Sequence, residues 1–318
     1  MKHNGDLVSV IIPTFNRKGM LIECIDSVLK STYKNIEIIV SDDASSDGTR
    51  EAVAKYKKLE NFKYLRNKKE SLLSVTINKA IFASSGEYIF ILDDDNVIDK
   101  NCISSLVSSF AKFKDAGIVG PIAFYKSHPD IIMHAGTVRS KYLRRIITPY
   151  SRERFSKQLK EGTVVEDFAN AFIFKREILK KIGMWDLLVP FQGEDGDFET
   201  RARKIGYKVI LNPNAKVYHN RKYEESELWE GRINKMRMYH FMHSKILYVY
   251  RYDSTVQKII FTLSIPIYIC YYMKLILFNV ARGETRSAAI ISLIDGTFRG
   301  IIDSILNKNQ IPKYKTKC

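Results

Sequence analysis

The sequence predicts an α/β fold in which helices flank a mostly parallel central sheet, followed by a helical C-terminal region. Three apolar runs, each typical of a buried strand, end in polar residues, and segments with helical spacing follow the first two runs. The last third of the chain instead has two long apolar segments that fit helices.

The first strand–helix–strand unit occupies the first forty residues. Residues 8–12 and 36–40 are apolar runs, and the helical spacing between them comes from Met20, Leu21, Cys24, Ile25, Val28 and Leu29. Short links in such a unit favour parallel strands joined by a right-handed crossover. A further helix is predicted over residues 50–59, after the turn Asp47-Gly48-Thr49.

Polar residues follow the end of each predicted strand: Thr14-Phe15-Asn16, Asp42-Asp43 and, after the run at 88–92, Asp93-Asp94-Asp95. Ligands of open α/β sheets bind at the carboxyl edge of the strands. At such sites Mg²⁺ often joins carboxylates to substrate phosphates. The acidic triplet alone is equally compatible with a solvated turn, so its interpretation depends on the rest of the pattern.

Five segments in this order resemble family 2 glycosyltransferases, which are enzymes of the GT-A fold that use nucleotide-sugar donors. The segments are VIIPTFN at 10–16, DDASSDGT at 42–49, GEYIFILDDD at 86–95, GEDGD at 193–197 and VYH at 217–219. The resemblance extends from about residue 7 to residue 223. Within the family, the chain is similar to rhamnosyltransferase-like enzymes that build surface or lipid-linked glycans.

The resemblance implies two regions. The first is a Rossmann-like GT-A catalytic domain over residues 1–222, with a nucleotide-binding half at about 1–100 and an acceptor half at about 101–222. The second is a helical C-terminal region over residues 223–318.

The resemblance also implies a divalent metal, Mg²⁺ or Mn²⁺, at Asp93, Asp95 and His219. Asp95 is the expected direct ligand, Asp93 points toward the ribose or the metal, and Asp94 is the filler position. Sugar transfer leaves negative charge on the diphosphate, and a cation neutralises it without proton transfer. An ordinary surface histidine is the alternative for His219, but its place in the pattern favours the ligand role.

The implied nucleotide-sugar site comprises Pro13, Thr14, Asn16, Arg17, Asp42, Asp43, Asn78, Asp93 and Asp94. Asp42 is favoured over Asp43 as the acceptor of a hydrogen bond from the base, and Asp47 is the better helix N-cap. For Arg17, contact with the diphosphate and simple solvation both stay open. Ile77 stands where many relatives have arginine, so the missing diphosphate contact would fall to Arg66, Lys68 or Lys69.

The acidic loop before a predicted helix carries the expected general base. An acceptor hydroxyl needs a carboxylate within hydrogen-bond reach. By resemblance, Asp195 is that base, and direct attack inverts the anomeric centre. Glu194 would orient the acceptor or the loop, whereas Asp197 favours the helix N-terminus. A sugar platform and a core position are equally open for Trp185.

Composition separates the remaining function classes. Lysine and arginine outnumber aspartate and glutamate by 51 to 35, giving a net charge of +16, which favours nucleic acid or an anionic membrane as partner. No nucleic-acid-binding motif accompanies the charge, so we expect no nucleic acid. The four cysteines lack metal or disulfide spacing, which favours a reducing compartment. The polar N-terminus gives no signal-peptide pattern.

The C-terminal third favours a membrane. Residues 259–281 are apolar except for Lys274 and Asn279, and they are long enough to cross a bilayer. Residues 289–306 place seven apolar side chains on one helical face. Basic residues at 282, 286 and 308–317 suit an anionic cytoplasmic surface, so peripheral, monotopic or single-span association is expected. The alternative is packing on the catalytic domain or homodimer formation.

Three functions therefore compete. The leading one is an inverting, metal-dependent transfer of sugar from a nucleotide-sugar donor to a hydroxyl of a glycan or lipid-linked glycan acceptor. The second is a polyprenyl-phosphate sugar synthase, in which the lipid phosphate attacks and no base is needed. The third is a non-catalytic nucleotide-sugar-binding or assembly protein, which intact acids and His219 disfavour.

Overall fold

The computed structural model describes residues 5–140, 146–156, 159–221, 223, 233–279, 285–306, 308 and 310–314. Its strands in chain order are β1 Val8–Thr14, β2 Ile36–Asp42, β3 Phe62–Arg66, β4 Tyr88–Leu92, β5 Asn96–Ile98, β6 Ala116–Tyr125, β7 His128–His134, β8 Val138–Arg139, β9 Ile146–Ile147, β10 Thr163–Val165, β11 Ala171–Lys175 and β12 Lys208–His219.

The helices alternate with the early strands and dominate the C-terminal third. They are α1 Lys18–Leu29, α2 Thr49–Ala52, α3 Leu73–Ala83, α4 Cys102–Lys112, α5 Ile178–Ile182, α6 Glu194–Lys204, α7 Lys235–Tyr252, α8 Thr255–Asn279 and α9 Arg286–Ile305. The segment predicted as a helix over 50–59 is helical, but it is α-helical only in α2 and continues as a 3₁₀-helix at Val53–Lys58, a common end for a short helix.

The central sheet is mostly parallel, as predicted. Its strand order is β10-β12-β6-β11-β4-β1-β2-β3, and β5 and β7 pair with β12 and β6. Strands β3, β2, β1 and β4 run parallel, while β11 is antiparallel to both β4 and β6. The carboxyl ends of β1, β2 and β4 therefore lie at one edge of the sheet.

Side chains alternate across β1 and fill a core on each face of the sheet. Val10 and Ile12 pack with helices α1 and α4, in which Cys24 and Cys102 are buried as small apolar residues. Ile11 faces the opposite core, which contains Trp185 and residues of α3 and α6. Burial of both faces explains why the early strands are continuous apolar runs.

The C-terminal helices form a third core through close contact of α7 and α9. Gly296 lies against the carbonyl of Tyr239, where an added Cβ would overlap the backbone, and a Cβ at Gly300 would lie 3.2 Å from His243. The inward face of α9 carries small and polar residues together with the apolar Leu293. Other apolar side chains of α9, among them Ile291 and Phe298, point outward, as do those of one face of α8: Phe298 is 63% exposed and Leu263 is 74% exposed.

Helix α8 continues through Pro266 and Lys274, and Thr255–Phe278 is long and apolar enough to cross a membrane. Length and composition alone carry this finding, and a core helix can satisfy the same test. Arg282 and the tail lysines at 315 and 317 lie outside the described residues.

Hydrogen bonds and ion pairs hold the helical region against the α/β region. Asp186 accepts hydrogen bonds from Arg251 of α7 at 2.8 Å and from the backbone N–H of Gln310 at 2.9 Å. Tyr252 donates to Asp197 at 2.6 Å, and the N–H of Met184 donates to the carbonyl of Pro312 at 3.0 Å. Residues 310 and 312 of the tail thus contact the segment before α6. Lys222, at the expected boundary, lies outside the described residues.

Candidate active site

The acidic triplet after β4 is tied to the end of β1, its parallel neighbour. Thr14 Oγ1 donates to Asp94 Oδ2 at 2.6 Å. One guanidinium nitrogen of Arg17, Nη1, lies 3.0 Å from Asp94 and 2.8 Å from Asp95. Asp94 is therefore more than a filler, because it joins the two strand ends and positions the arginine.

His219 lies near Asp95 and comes from β12, which is on the opposite side of β4 from β1 in the strand order. It is the last residue of β12 and pairs with Asn96 of β5, directly after the triplet. Its Nε2 lies 3.4 Å from Asp95 Oδ1, and the N–H of Asn220 donates to the carbonyl of Asp95 at 2.8 Å. The structure thus brings together Asp95 and His219, which lie 124 residues apart in sequence.

The electrostatics of the triplet favour a cation. Burial, followed by repulsion from Asp95, Asp195 and Asp94, raises the pKa of Asp93 well above its usual value. Burial likewise raises the pKa of Asp94 to about 6, despite the opposing effect of Arg17. Within the described parts of the chain, no three acidic, imidazole or thiol groups form a complete metal cluster. Of the three predicted ligands, the structure brings Asp95 Oδ1 and His219 Nε2 to 3.4 Å from each other, and carboxylate and imidazole donors of this kind suit a divalent cation.

A cavity of about 230 Å³, here the first cavity, opens beside these groups. Six residues of the predicted nucleotide-sugar site line it: Pro13, Thr14, Arg17, Asp43, Asp93 and Asp94. The sequence did not identify several further lining residues, namely Phe15, Glu70, Leu72, Leu73, Thr76, Phe191, Met236 and Arg237.

Three residues of the predicted nucleotide-sugar site do not line this cavity. Asp42 is fully buried and accepts hydrogen bonds from Tyr64 and from the N–H of Ser45. Asn16 has a left-handed backbone, with φ 53°, and its side chain accepts from the N–H of Ser46 at 2.7 Å. These two residues shape the loops around the strand ends.

Asn78 is the third such residue. Its amide exchanges two hydrogen bonds with the backbone of Trp185, at 2.9 and 3.0 Å. These bonds hold the segment before the acidic loop against α3. The structure therefore places Asn78 in a supporting position.

Asp43 faces the first cavity and organises the loop before α3. Its carboxylate accepts from the N–H groups of Ser71 and Leu72, at 2.9 and 2.8 Å, and from Asn67 Nδ2 at 2.7 Å. A carboxylate with several such donors is fixed in place. Of the two adjacent acids, Asp43 is the one that can meet a ligand here.

Asp195 lies in the first turn of α6, and not in the loop before the helix as expected, since α6 begins at Glu194. Gln192 and Gly193 both have left-handed backbones, with φ 58° and 109°, immediately before the helix begins. Trp185 Nε1 donates to Asp195 Oδ1 at 3.1 Å. Burial, followed by repulsion from Glu194, raises the pKa of Asp195 well above its usual value, which strengthens it as a base.

Two neighbours of this loop are structural. The indole of Trp185 is fully buried and stacks on Phe198, with ring centroids 4.0 Å apart, so the core position applies and not the sugar platform. Asp197 bonds Arg201 at 2.9 Å as well as Tyr252 of α7.

Glu194, the residue before Asp195, is buried. Burial raises the pKa of Glu194 to about 7, and repulsion from Asp93 acts in the same direction.

The family model "Glycosyl transferase family 2" matches residues 9–183, which is more than half of the chain. The glycosyltransferase GlyA of Streptococcus pneumoniae serotype 4 is 25% identical over 229 residues, covering 70% of this chain and 32% of that protein. The GalNAc(5)-diNAcBac-PP-undecaprenol beta-1,3-glucosyltransferase of Campylobacter jejuni is 37% identical over 102 residues, covering 31% of this chain and 33% of that one. The chain thus spans about a third of each of these two relatives.

A solved structure shares the fold. The mannosyltransferase PcManGT from Pyrobaculum calidifontis, in complex with GDP-Man and Mn²⁺, superposes with a TM-score of 0.56 at 14% identity. The match covers 96% of this chain and 88% of that structure. The chain belongs to glycosyltransferase family 2 and has the GT-A fold.

Proposed function

We propose that the chain is an inverting, metal-dependent glycosyltransferase that moves a sugar from a nucleotide-sugar donor to a hydroxyl of a glycan or lipid-linked glycan. One observation carries the proposal: residues at the ends of β1 and β2 and the acids after β4 line one cavity. Asp195 belongs to the same acidic cluster, because its charge contributes to the raised pKa of Asp93. A donor site and a base therefore adjoin.

For the donor, the first cavity supports a nucleotide held by the loops after β1 and β2. Asp43 takes the base-recognition role that the sequence assigned to Asp42, because Asp43 lines the cavity and Asp42 does not. Arg17 lies beside the triplet, where it can pair with diphosphate oxygens. The rhamnosyltransferase-like assignment of the sugar rests on the sequence resemblance alone.

For the metal, Asp93, Asp95 and His219 would hold Mg²⁺ or Mn²⁺ at the sheet edge. The bound cation would offset the negative charge that grows on the departing diphosphate. The Mn²⁺ complex of the mannosyltransferase PcManGT is consistent with this choice. Thr14 supports the site indirectly, because its hydroxyl fixes the middle acid of the triplet.

For the transfer step, Asp195 accepts the proton of the attacking acceptor hydroxyl. Its hydrogen bond from the buried indole of Trp185 fixes the direction of the carboxylate. The acceptor oxygen bonds to the anomeric carbon while the bond to the diphosphate breaks, so one direct displacement inverts the configuration. Glu194, the buried neighbour, supports the loop and the acceptor side.

The test is a donor screen over UDP-, GDP- and dTDP-sugars, followed by assay of Asp195→Asn with the active donor. The variant should bind donor normally but lose turnover by about 10²–10⁴-fold, the usual contribution of general-base catalysis. Asp130→Asn, on an exposed carboxylate of β7, is the matched control.

Three outcomes discriminate the alternatives. An active Asp195→Asn enzyme would favour the polyprenyl-phosphate sugar synthase, whose phosphate nucleophile needs no base. Donor binding without any turnover would favour a non-catalytic nucleotide-sugar-binding or assembly protein. Product with retained configuration would contradict direct displacement.

We also propose that the helical region, from about residue 223, associates with the cytoplasmic face of a membrane as a peripheral, monotopic or single-span element. The outward apolar side chains of α8 and α9 support this placement, because lipid can cover surfaces that water disfavours. Leu263→Asp combined with Phe298→Asp should reduce flotation with anionic liposomes while donor affinity is retained. Unchanged flotation, or a dimer that the double substitution dissociates, would instead assign these faces to protein packing.

A further inference from the structure

An ion pair between Arg139, at the end of β8, and Asp167 lies against the first turn of α6. Both side chains are buried, with 8% and 9% of their surface exposed. Arg139 Nη1 pairs with Asp167 Oδ2, and the hydroxyl of Thr137 donates to the other carboxylate oxygen, Oδ1. Asp167 is therefore held through both oxygens, by an ion pair at one and a hydrogen bond at the other.

The ion pair fills the space beside Gly196, the residue that follows Asp195. A Cβ added to Gly196 would lie 3.1 Å from Arg139 Nη2 and 3.3 Å from Asp167 Oδ2. Alanine stabilises helices better than glycine does, so glycine in the first turn of α6 is locally unfavourable. The close approach of the ion pair explains why a residue without a side chain stands here.

A second contact joins the same segment to α6 one turn further on. The N–H of Phe168, the residue after Asp167, donates to Glu199 Oε2 at 2.7 Å. Burial, followed by repulsion from Asp167 and Asp195, raises the pKa of Glu199 well above its usual value. Asp195 and Glu199 are four residues apart, so they lie on one face of α6. The face that carries the proposed base therefore packs on residues 167–168.

The same segment contacts the acidic triplet at its other end. The N–H of Asp93 donates to the carbonyl of Asn170 at 2.8 Å, and β11 then pairs with β4, the strand before the triplet. Residues 167–171, here the bridging segment, thus connect the helix of the proposed base to the acids after β4.

Arg139 also joins the bridging segment to α7. Its guanidinium lies 4.4 Å from the ring centroid of Tyr248, and Glu166 is its second carboxylate partner, at 3.2 Å. Arg139 lines a second cavity, of about 430 Å³, together with Gln192 and Gly193, directly before α6. Because two carboxylates balance its charge, Arg139 shapes the wall of this cavity and does not supply a free cation to it.

We propose that Asp167, held by Arg139, is a positioning residue for the sugar transfer: it fixes the first turn of α6 so that the Asp195 carboxylate faces the donor. This inference rests on the proposed function, in which Asp195 is the base and the second cavity lies on the acceptor side. Asp167 acts through Gly196 and the bridging segment, without contact with either substrate. Since a misplacement of about 1 Å can lower turnover by about 10²-fold, small shifts of this turn matter.

The indole of Trp185 offers a readout that needs no substrate. Its N–H donates to Asp195 at 3.1 Å, so its resonance reports the position of that carboxylate. The chain has one other tryptophan, Trp229, and Trp229→Phe therefore assigns the indole signals in a nitrogen-edited NMR spectrum. Steady-state assays with Mn²⁺ and the donor found active in the screen supply kcat and the donor KM of the full chain.

Asp167→Asn should lower kcat by about tenfold or more and leave the donor KM unchanged, because the base moves while the first cavity stays intact. The indole resonance of Trp185 should shift in the same variant. Thermal unfolding shows whether the variant is folded at the assay temperature.

Gly196→Ala tests the same contact with both charges retained. Its Cβ meets the ion pair, so kcat should fall and the indole resonance should shift, although alanine favours the helix. Glu37→Gln is the matched control, because Glu37 is a buried carboxylate paired with Lys63 at 2.8 Å near the start of β2. It should leave kcat and the indole resonance unchanged.

A wild-type kcat or an unmoved indole resonance in either Asp167→Asn or Gly196→Ala would overturn the positioning role. Equal losses in Glu37→Gln, or a change confined to the donor KM, would overturn it as well. Absence of turnover by wild type with every nucleotide sugar would instead overturn the proposed function. The indole resonance, which needs no substrate, separates that result from a failure of the contact between Asp167 and the base.

Discussion

The two sides of the candidate active site are built differently. The donor side consists of residues at or just after the ends of neighbouring strands, so the hydrogen bonds of the sheet fix their relative positions. The other side consists of a strained loop before α6 and one face of α7, which are held together by side-chain contacts. Local sequence therefore specifies the proposed donor side, whereas tertiary packing specifies the side that we propose for the acceptor.

The largest effect that sharpens this comparison is expected at Asp42, the last residue of β2, and at Asp43, which follows it. Asp43→Asn replaces a carboxylate that faces the first cavity and accepts from three donors, so nucleotide affinity should fall by about tenfold or more. Asp42→Asn should lower stability by about 1–3 kcal/mol through its buried bonds, with nucleotide affinity unchanged. Calorimetry and thermal unfolding measure the two effects. Loss of nucleotide affinity in Asp42→Asn but not in Asp43→Asn would restore Asp42 as the base-recognition residue.

The same pair of acids shows how far the sequence can be interpreted. Periodicity predicted strand ends at Thr14, Asp42 and Asp93, and the sheet brings these ends together. It did not predict which of two adjacent carboxylates lines the first cavity, because that depends on the backbone after the last paired residue. The bond between Asn78 and Trp185 was not predicted either, since Trp185 lies 107 residues away in sequence.

The acceptor side left a weaker signal in the sequence. Arg237, Phe241, Lys245 and Tyr248 recur at spacings of three and four, which places them on one face of a helix. That pattern could have indicated a charged and aromatic surface. It could not indicate whether this surface faces Gly193 or solvent, because that depends on how α7 packs against the rest of the chain.

The next prediction tests the packing of α7 on α9. Gly296→Leu would place atoms on the carbonyl of Tyr239, so stability should fall by about 1–3 kcal/mol, as in other overpacked cores. Gly19→Ala in α1 is the matched control, since a Cβ there meets nothing within 4 Å, and it should be neutral or stabilising. Equal unfolding temperatures for both variants would contradict the close helix contact.

The smallest expected effect is the contribution of two buried histidines to the pH dependence of stability. Burial lowers the pKa of His134 and of His240 to about 4, so the folded chain keeps both rings neutral where unfolded histidines bind protons. At these two positions the unfolded state holds more protons between about pH 6.5 and 4, so their contribution to stability decreases as pH falls through this range. Buried acids with a raised pKa, such as Asp94 and Glu194, act in the opposite direction, in wild type and variant alike. From pH 7 to 5 the unfolding temperature of His134→Asn should therefore fall less, or rise more, than that of wild type.

The control for this measurement is His128→Asn, because His128 is exposed and should leave the pH dependence unchanged. A His134→Asn protein with the full acid sensitivity of wild type would contradict the buried, neutral state of that ring.

The central claim is that the acids after β4 join a divalent cation to the donor diphosphate, and nucleotide titration with and without Mn²⁺ tests it most directly. The affinity of wild type for nucleotide should increase about tenfold or more when Mn²⁺ is added, because a bound cation can stabilise the negative charge of the diphosphate by several kcal/mol. Asp95→Asn should lose most of this gain, while Asp115→Asn, an exposed acid bonded to Lys208, should keep it. Nucleotide affinity that ignores Mn²⁺ in wild type and Asp95→Asn alike would contradict the metal role of the triplet.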